Sequence, residues 1–185
     1  MAVPDRSTAR SLLADVGLPD GIVIHSEGVA RVAVAAAALI AEAQIPIDGA
    51  LVEAAALLHD IDKLEIRRDG GEHGIVGARQ LEAAGYPELA MPVASHPLSC
   101  LLDDDRFPRG WPSVLVAAAD RHVAQEFLTI DERLDDMKTR HAEFADAIEA
   151  ARHPAHALEA ELAEVVGLSP EHLVAHLRAA WAAGR

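Results

Sequence analysis

A histidine and an aspartate stand side by side, His59-Asp60, at the end of an apolar stretch carrying Leu51, Ala54, Ala55, Leu57 and Leu58. Neighbours on a helix point about 100° apart, so both reach one ion only if it lies beside the ridge between them. Two polar groups closing an apolar helix must meet water, pair, or bind something, because unpaired burial is costly. Two more residues share this character. His25 begins the polar run His25-Ser26-Glu27 that leads into an apolar helix. Asp120 follows Val114-Leu115-Val116-Ala117-Ala118-Ala119, and a carboxylate there needs a partner, either Arg121 or a cation. Two imidazoles and two carboxylates make a mixed nitrogen and oxygen donor set. It suits Mn, Fe, Co, Ni, Zn or Mg better than calcium. Such an ion activates water and polarises a phosphoryl oxygen.

The order His25, then Leu57-Leu58-His59-Asp60-Ile61-Asp62-Lys63, then Asp120 resembles the HD superfamily of metal-dependent phosphohydrolases. The resemblance covers residues 24–144, about two-thirds of the chain, and implies His25, His59, Asp60 and Asp120 as ligands. Glu72-His73-Gly74 and Ala94-Ser95-His96-Pro97 fall where some HD proteins supply His73- and His96-type ligands to a second ion. That part is similar to HD-type hydrolases of diadenosine polyphosphates, with a His-Gly before one helix and a histidine ending the next. Residues 119–123 and 128–140 look like those of small bacterial HD proteins, which identifies kin and not a substrate.

One departure stands out: Asp62 occupies a position where the family usually has glycine. It could pair with Lys63, Arg67 or Arg68, or orient His59 from behind, three residues along. Lys63, four residues after His59, is expected on the same helix face and could neutralise a phosphate oxygen. Arg79 and Arg121 are weaker substrate-binding candidates, and the loop arginines Arg67, Arg68, Arg106 and Arg109 could line an entrance.

The implied reaction is hydrolysis of a phosphoester or phosphoanhydride, in a nucleotide, by water activated at one or two divalent ions. Asp60 and Lys63 are the expected catalytic residues. Two other functions stay open. An HD-type di-iron oxygenase would use the same ligands, but those enzymes carry a basic, aromatic segment after the fourth histidine. Here that segment is Pro97-Leu98-Ser99-Cys100-Leu101-Leu102. A nucleotide sensor would bind without turnover. His122, His141, His153, His156, His172 and His176 lack a ligand pattern and read as surface histidines.

The elements that must position these residues read as helices. The chain has 185 residues, enough for one domain. Half of it is apolar, yet aromatics make up only 3% of the chain, and alanine favours closely packed helices. Ser7 is expected to cap a first helix ending near Gly17-Leu18-Pro19; a second spans 25–44, closed by Pro46; Asp48 caps a third that runs into His59-Asp60. A charged loop is expected over 67–71, helices over 75–84 and from Pro87 to His96, and an exposed loop over 101–112. Pro112 suits the first turn of a long helix through Asp120. Two helices close the chain at 155–166 and 170–182, the latter with Leu173, Leu177 and Trp181 on one face, which could cover the core or form an oligomer interface. Nothing alternates like a strand. The expectation is an all-α single-domain helical bundle over 1–185, with an HD core at 24–144 and a C-terminal helical extension at 145–185.

A net charge of −14 disfavours duplex nucleic acid or an anionic membrane as partner. A small phosphorylated substrate stays compatible, because a bound metal reverses the potential inside one pocket. A single cysteine allows no internal disulfide, which fits a cytoplasmic protein, and the first residues lack a signal-peptide core. The longest apolar run, 32–41, is short for a membrane span of ~20 residues and reads as a buried helix.

Overall fold

The computed structural model describes residues 3–184. They form an all-α fold, and among them the only strand-like feature is one isolated bridge between Val123 and Phe127. The helices are α1 (Arg6–Asp15), α2 (Asp20–Glu42), α3 (Gly49–Leu58), α4 (Lys63–Asp69), α5 (Ile75–Ala83) and α6 (Ala90–Ala94). After a 3-10 turn, Leu98–Leu102, come α7 (Trp111–His122), α8 (Ile130–Arg140), α9 (Ala145–Ala150), α10 (Arg152–Val165) and α11 (Pro170–Ala182).

Alanine sets how these helices meet. Ala30, Ala33, Ala36 and Ala37 of α2 and Ala54, Ala55 and Ala56 of α3 are all buried, and such small side chains let two backbones approach closely. Helix α2 packs against α3, α7 and α11. It is long and apolar enough, by length and composition alone, to cross a membrane, yet here Val29, Val32 and Ile40 lie in the core as the run at 32–41 led one to expect. Helix α7 is buried at every position from Ser113 to His122, as suits its run Val114–Ala119, which is apolar all round. The main core lies on one side of it, around Leu57, Leu58 and Leu115. A smaller cluster of Leu101, Ile130, Leu134, Ile148 and Leu158 lies on the other. Asp120 is thereby carried into the middle of the molecule.

Several boundaries differ from the sequence expectation. Asp5, not Ser7, caps α1 by accepting a hydrogen bond from the Thr8 N–H. Helix α2 starts at Asp20, directly after Pro19, so His25 lies inside it and does not open it. Residues 67–69 belong to α4, and only Gly70 and Gly71 break the chain. Arg67 and Arg68 occupy the last turn of that helix, where positive charge suits the helix dipole. Asp48 does cap α3, with its Oδ1 3.0 Å from the Leu51 N–H, and Ser169 caps α11.

Candidate metal centre

Helix ends aim the ligands. Helix α3 stops at Leu58, leaving carbonyls of its last turn without helical partners. His59 meets one of them: its Nδ1 lies 2.7 Å from the Ala56 carbonyl oxygen. A carbonyl can only accept, so Nδ1 carries the proton and Nε2 keeps a bare lone pair. His96, just past the end of α6, repeats the arrangement with Nδ1 2.6 Å from the Val93 carbonyl. Two helix ends thus present bare imidazole nitrogens to one interior space. His25 reaches it from the second turn of α2 and Asp120 from α7.

Asp60 lies between two groups of donors. Its Oδ2 is 3.7 Å from His25 Nε2 and 3.5 Å from His59 Nε2. His25 Nε2 is itself 3.1 Å from both His59 Nε2 and Asp120 Oδ1. The other oxygen, Oδ1, is 3.2 Å from His73 Nε2 and 3.7 Å from His96 Nε2, and those two nitrogens are 3.0 Å apart. Lone pairs that converge in this way repel unless a cation or a proton lies between them. The donor set therefore fits divalent ions, and the candidate groups are His25, His59 and Asp120, and His59, Asp60 and His96.

The charge states agree with that fit. Burial pushes His59 down to about 4, although Asp60 and Asp120 work in the opposite direction, and burial also lowers His96. Burial opposes charge on Asp60, but His59, His73 and His96 outweigh it and hold the carboxyl well below the usual range. The same balance, with Arg121 and His25 as the stabilising neighbours, keeps Asp120 ionised. Neutral imidazoles beside ionised carboxylates are the states that bind a metal. His73 differs: burial disfavours its charge, yet Asp60 and Asp62 raise it to about 9. Without an ion, a proton on His73 occupies the space a cation would take.

The surrounding residues divide sharply. Arg121 is buried and lies behind the ligands. It donates to the His96 carbonyl at 3.0 Å and pairs with Asp120 Oδ2, leaving Asp120 Oδ1 for His25. The expected substrate contact thus supports two candidate ligands. Arg79 is exposed on α5 and is not brought to the centre. Lys63 does reach it, with Nζ 3.4 Å from Asp60 Oδ1. It does so from the start of α4, because residues 59–62 form a turn and share no continuous helix with it. Asp62 is fully buried and touches His73, not His59 or the arginines: its Oδ1 lies 2.8 Å from His73 Nδ1.

A cavity of about 520 Å³ opens onto His25, Asp60 and Lys63, and Arg67, Arg133 and Arg140 also line it. Asp136 pairs with both Arg133 and Arg140, so part of this positive charge is already balanced. A larger hollow of about 740 Å³ between α8, α10 and α11 touches none of the six candidate ligands. It is apolar in its lining by Ile130, Val174 and Ala179, and the smaller, charged cavity is the one suited to the chemistry. Sequence reading missed Arg133 and Arg140; their spacing of seven residues, two turns of one helix, was the available signal. It also took His122 for a surface residue. His122 is buried, 2.9 Å from Glu159 Oε2 and stacked on Phe127.

The HD domain family matches residues 22–153. No curated protein and no solved structure gave a match. The match spans α2 through α9 and the turns between them, which hold all six histidine and aspartate residues of the candidate centre, and the chain belongs to the HD-domain family.

Proposed function

We propose that the centre holds one or two divalent ions and hydrolyses a phosphoester or phosphoanhydride bond of a small phosphorylated compound, a nucleotide. The observation that carries this reading is Asp60, whose two oxygens face two separate sets of imidazole nitrogens at the floor of a cavity lined by cations. A divalent ion bound there would make water more acidic and polarise a phosphoryl oxygen.

The chain's own residues supply the rest. Asp60 and Asp120 stay ionised and can accept hydrogen bonds from an attacking water. Lys63, at the edge of the centre, offers an ammonium to a phosphate oxygen, and charge stabilisation of that kind acts most strongly where water is excluded. Arg67, Arg133 and Arg140 bring cations a phosphorylated ligand could meet to a cavity wall that also carries Glu126 and Asp136, in a molecule that is acidic overall. Arg121 holds Asp120 and the His96 backbone in place from behind.

The test is phosphate release from a panel of mononucleotides, dinucleoside polyphosphates, guanosine tetraphosphate and cyclic dinucleotides, with Mn²⁺ supplied. Release from at least one class is expected, with loss to background in His59→Ala and in Asp60→Ala. A folded, metal-loaded protein that leaves every compound intact would refute the proposal.

A further inference from the structure

Asp62 lies in the turn between α3 and α4 and occupies the N-cap position of α4, yet its side chain makes no capping bond to that helix. Its oxygens serve the start of α5 and the turn before it instead. Oδ2 accepts hydrogen bonds from the N–H groups of Gly74, at 2.7 Å, and Gly77, at 3.0 Å. Gly74 is the N-cap residue of α5 and Gly77 its third helical residue, so Asp62 fills from another element the role a capping side chain normally has. Oδ1 faces His73 Nδ1 at 2.8 Å.

Three donors therefore converge on one carboxylate that is shielded from water. The fit is close: a Cβ added at Gly77 would stand 3.3 Å from Asp62 Oδ2. A carboxylate accepts only, so His73 must donate through Nδ1. Its Nε2 then points towards Asp60 Oδ1 and His96 Nε2, 3.2 and 3.0 Å away. With glycine at 62, the form usual in the family, His73 would have no such partner and the two backbone N–H groups would lose their acceptor.

We infer that Asp62 is the positioning residue that builds a second cation position from His73, His96 and Asp60. It holds the His73 ring through Nδ1 and anchors the start of α5, without touching the ion itself. The inference rests on the reading of the centre as metal-binding, but not on hydrolysis. A carboxylate hydrogen-bonded to a ligand imidazole orients the ring and makes its other nitrogen a stronger donor, and losing such a partner typically costs about 10–100-fold in metal affinity.

The experiment is a Mn²⁺ titration of the full-length, metal-free chain, read by calorimetry and by electron paramagnetic resonance. The unaltered protein should take up two ions and show the signal of a coupled Mn²⁺ pair. Asp62→Gly should lose about 10–100-fold in affinity for one ion only, with the coupled signal replaced by that of an isolated ion, as in His73→Ala. Asp62→Asn keeps the shape and one acceptor oxygen, so it should fold and fall between the two; it carries the test if the glycine variant does not fold. Two ions bound with unaltered affinity in both Asp62 variants would overturn the inference. So would an equal loss of both ions, or a single ion in the unaltered protein. Normal Mn²⁺ behaviour without any phosphate release would leave this inference standing and defeat only the hydrolase reading.

Discussion

At the scale of single residues, the two oxygens of Asp120 do different work. Oδ1 stands 3.1 Å from His25 Nε2, and Oδ2 is taken by Arg121, which also holds the His96 carbonyl. Removing one partner of a buried ion pair typically costs about 3–5 kcal/mol, because the other charge is left uncompensated. Arg121→Ala should therefore lose roughly that amount in urea unfolding of the ion-free protein, and less with Mn²⁺ bound, since the cation itself balances Asp120. An equal loss with and without the ion would remove Arg121 from its supporting role. The residue types of the centre were legible in the sequence, because polar groups closing apolar runs need a partner. Which carboxylate oxygen faces which cluster was not. Asp62 and His73 are eleven residues apart across α4, a pairing no local periodicity encodes. Arg79 misled because a cation near a ligand in sequence says nothing about which face of α5 it occupies.

At the scale of elements, a repeated arrangement explains the geometry. Helices α3 and α6 each end in a histidine whose Nδ1 meets a carbonyl of its own last turn. The two ends converge because α7 packs against both α3 and α6, and α5 closes onto α6 beside them. Gly74 permits that approach. It has φ +83°, and a Cβ there would lie 2.9 Å from the Val93 carbonyl oxygen. An L-residue in left-handed geometry costs about 1–2 kcal/mol, and the close contact adds to that. Gly74→Ala should be destabilised by more than about 1–2 kcal/mol in chemical denaturation, and its His73 side of the centre should bind Mn²⁺ more weakly than the His25 side. Unaltered stability and binding would show that the close approach is unimportant. Most helices were readable from caps and apolar spacing, with Asp48 and Pro112 where expected. Helix α4 was not, because Gly70-Gly71 and a run of charges look like a loop, while burial of its neighbours and a favourable last turn make it helical. The start of α2 was hidden for a related reason: Pro19 reads equally as the stop of one helix and the N-cap of the next.

Across the whole molecule, the buried titrating groups make stability depend on pH in both directions. His73 is raised from 6.5 to about 9, so its stabilising contribution is complete below pH 6.5 and is lost as pH rises through about 9. His59 is lowered from 6.5 to about 4, so its contribution is present above pH 6.5 and is lost as pH falls towards 4. The Tm of the ion-free protein should therefore peak near neutral to slightly acidic pH and fall on either side. His73→Gln should flatten the alkaline limb alone; an unchanged alkaline limb in that variant would assign the loss to other groups. The same charges place the chemistry within an acidic chain. The net charge of −14 belongs to the surface as a whole, whereas the cavity above Asp60 gathers Lys63, Arg67, Arg133 and Arg140. That gathering of cations, beside Glu126 and Asp136, was beyond the sequence, because Arg133 and Arg140 reach the cavity from α8, seventy residues or more beyond Lys63 in the chain.

The most direct measurement is phosphate release by metal-free protein as Mn²⁺ is added back in measured steps, with bound ion counted in the same samples. Release should be absent without the ion, rise with ions bound per chain, and vanish again on chelation. Full occupancy of the centre by Mn²⁺ without phosphate release from any compound in the panel would contradict the account.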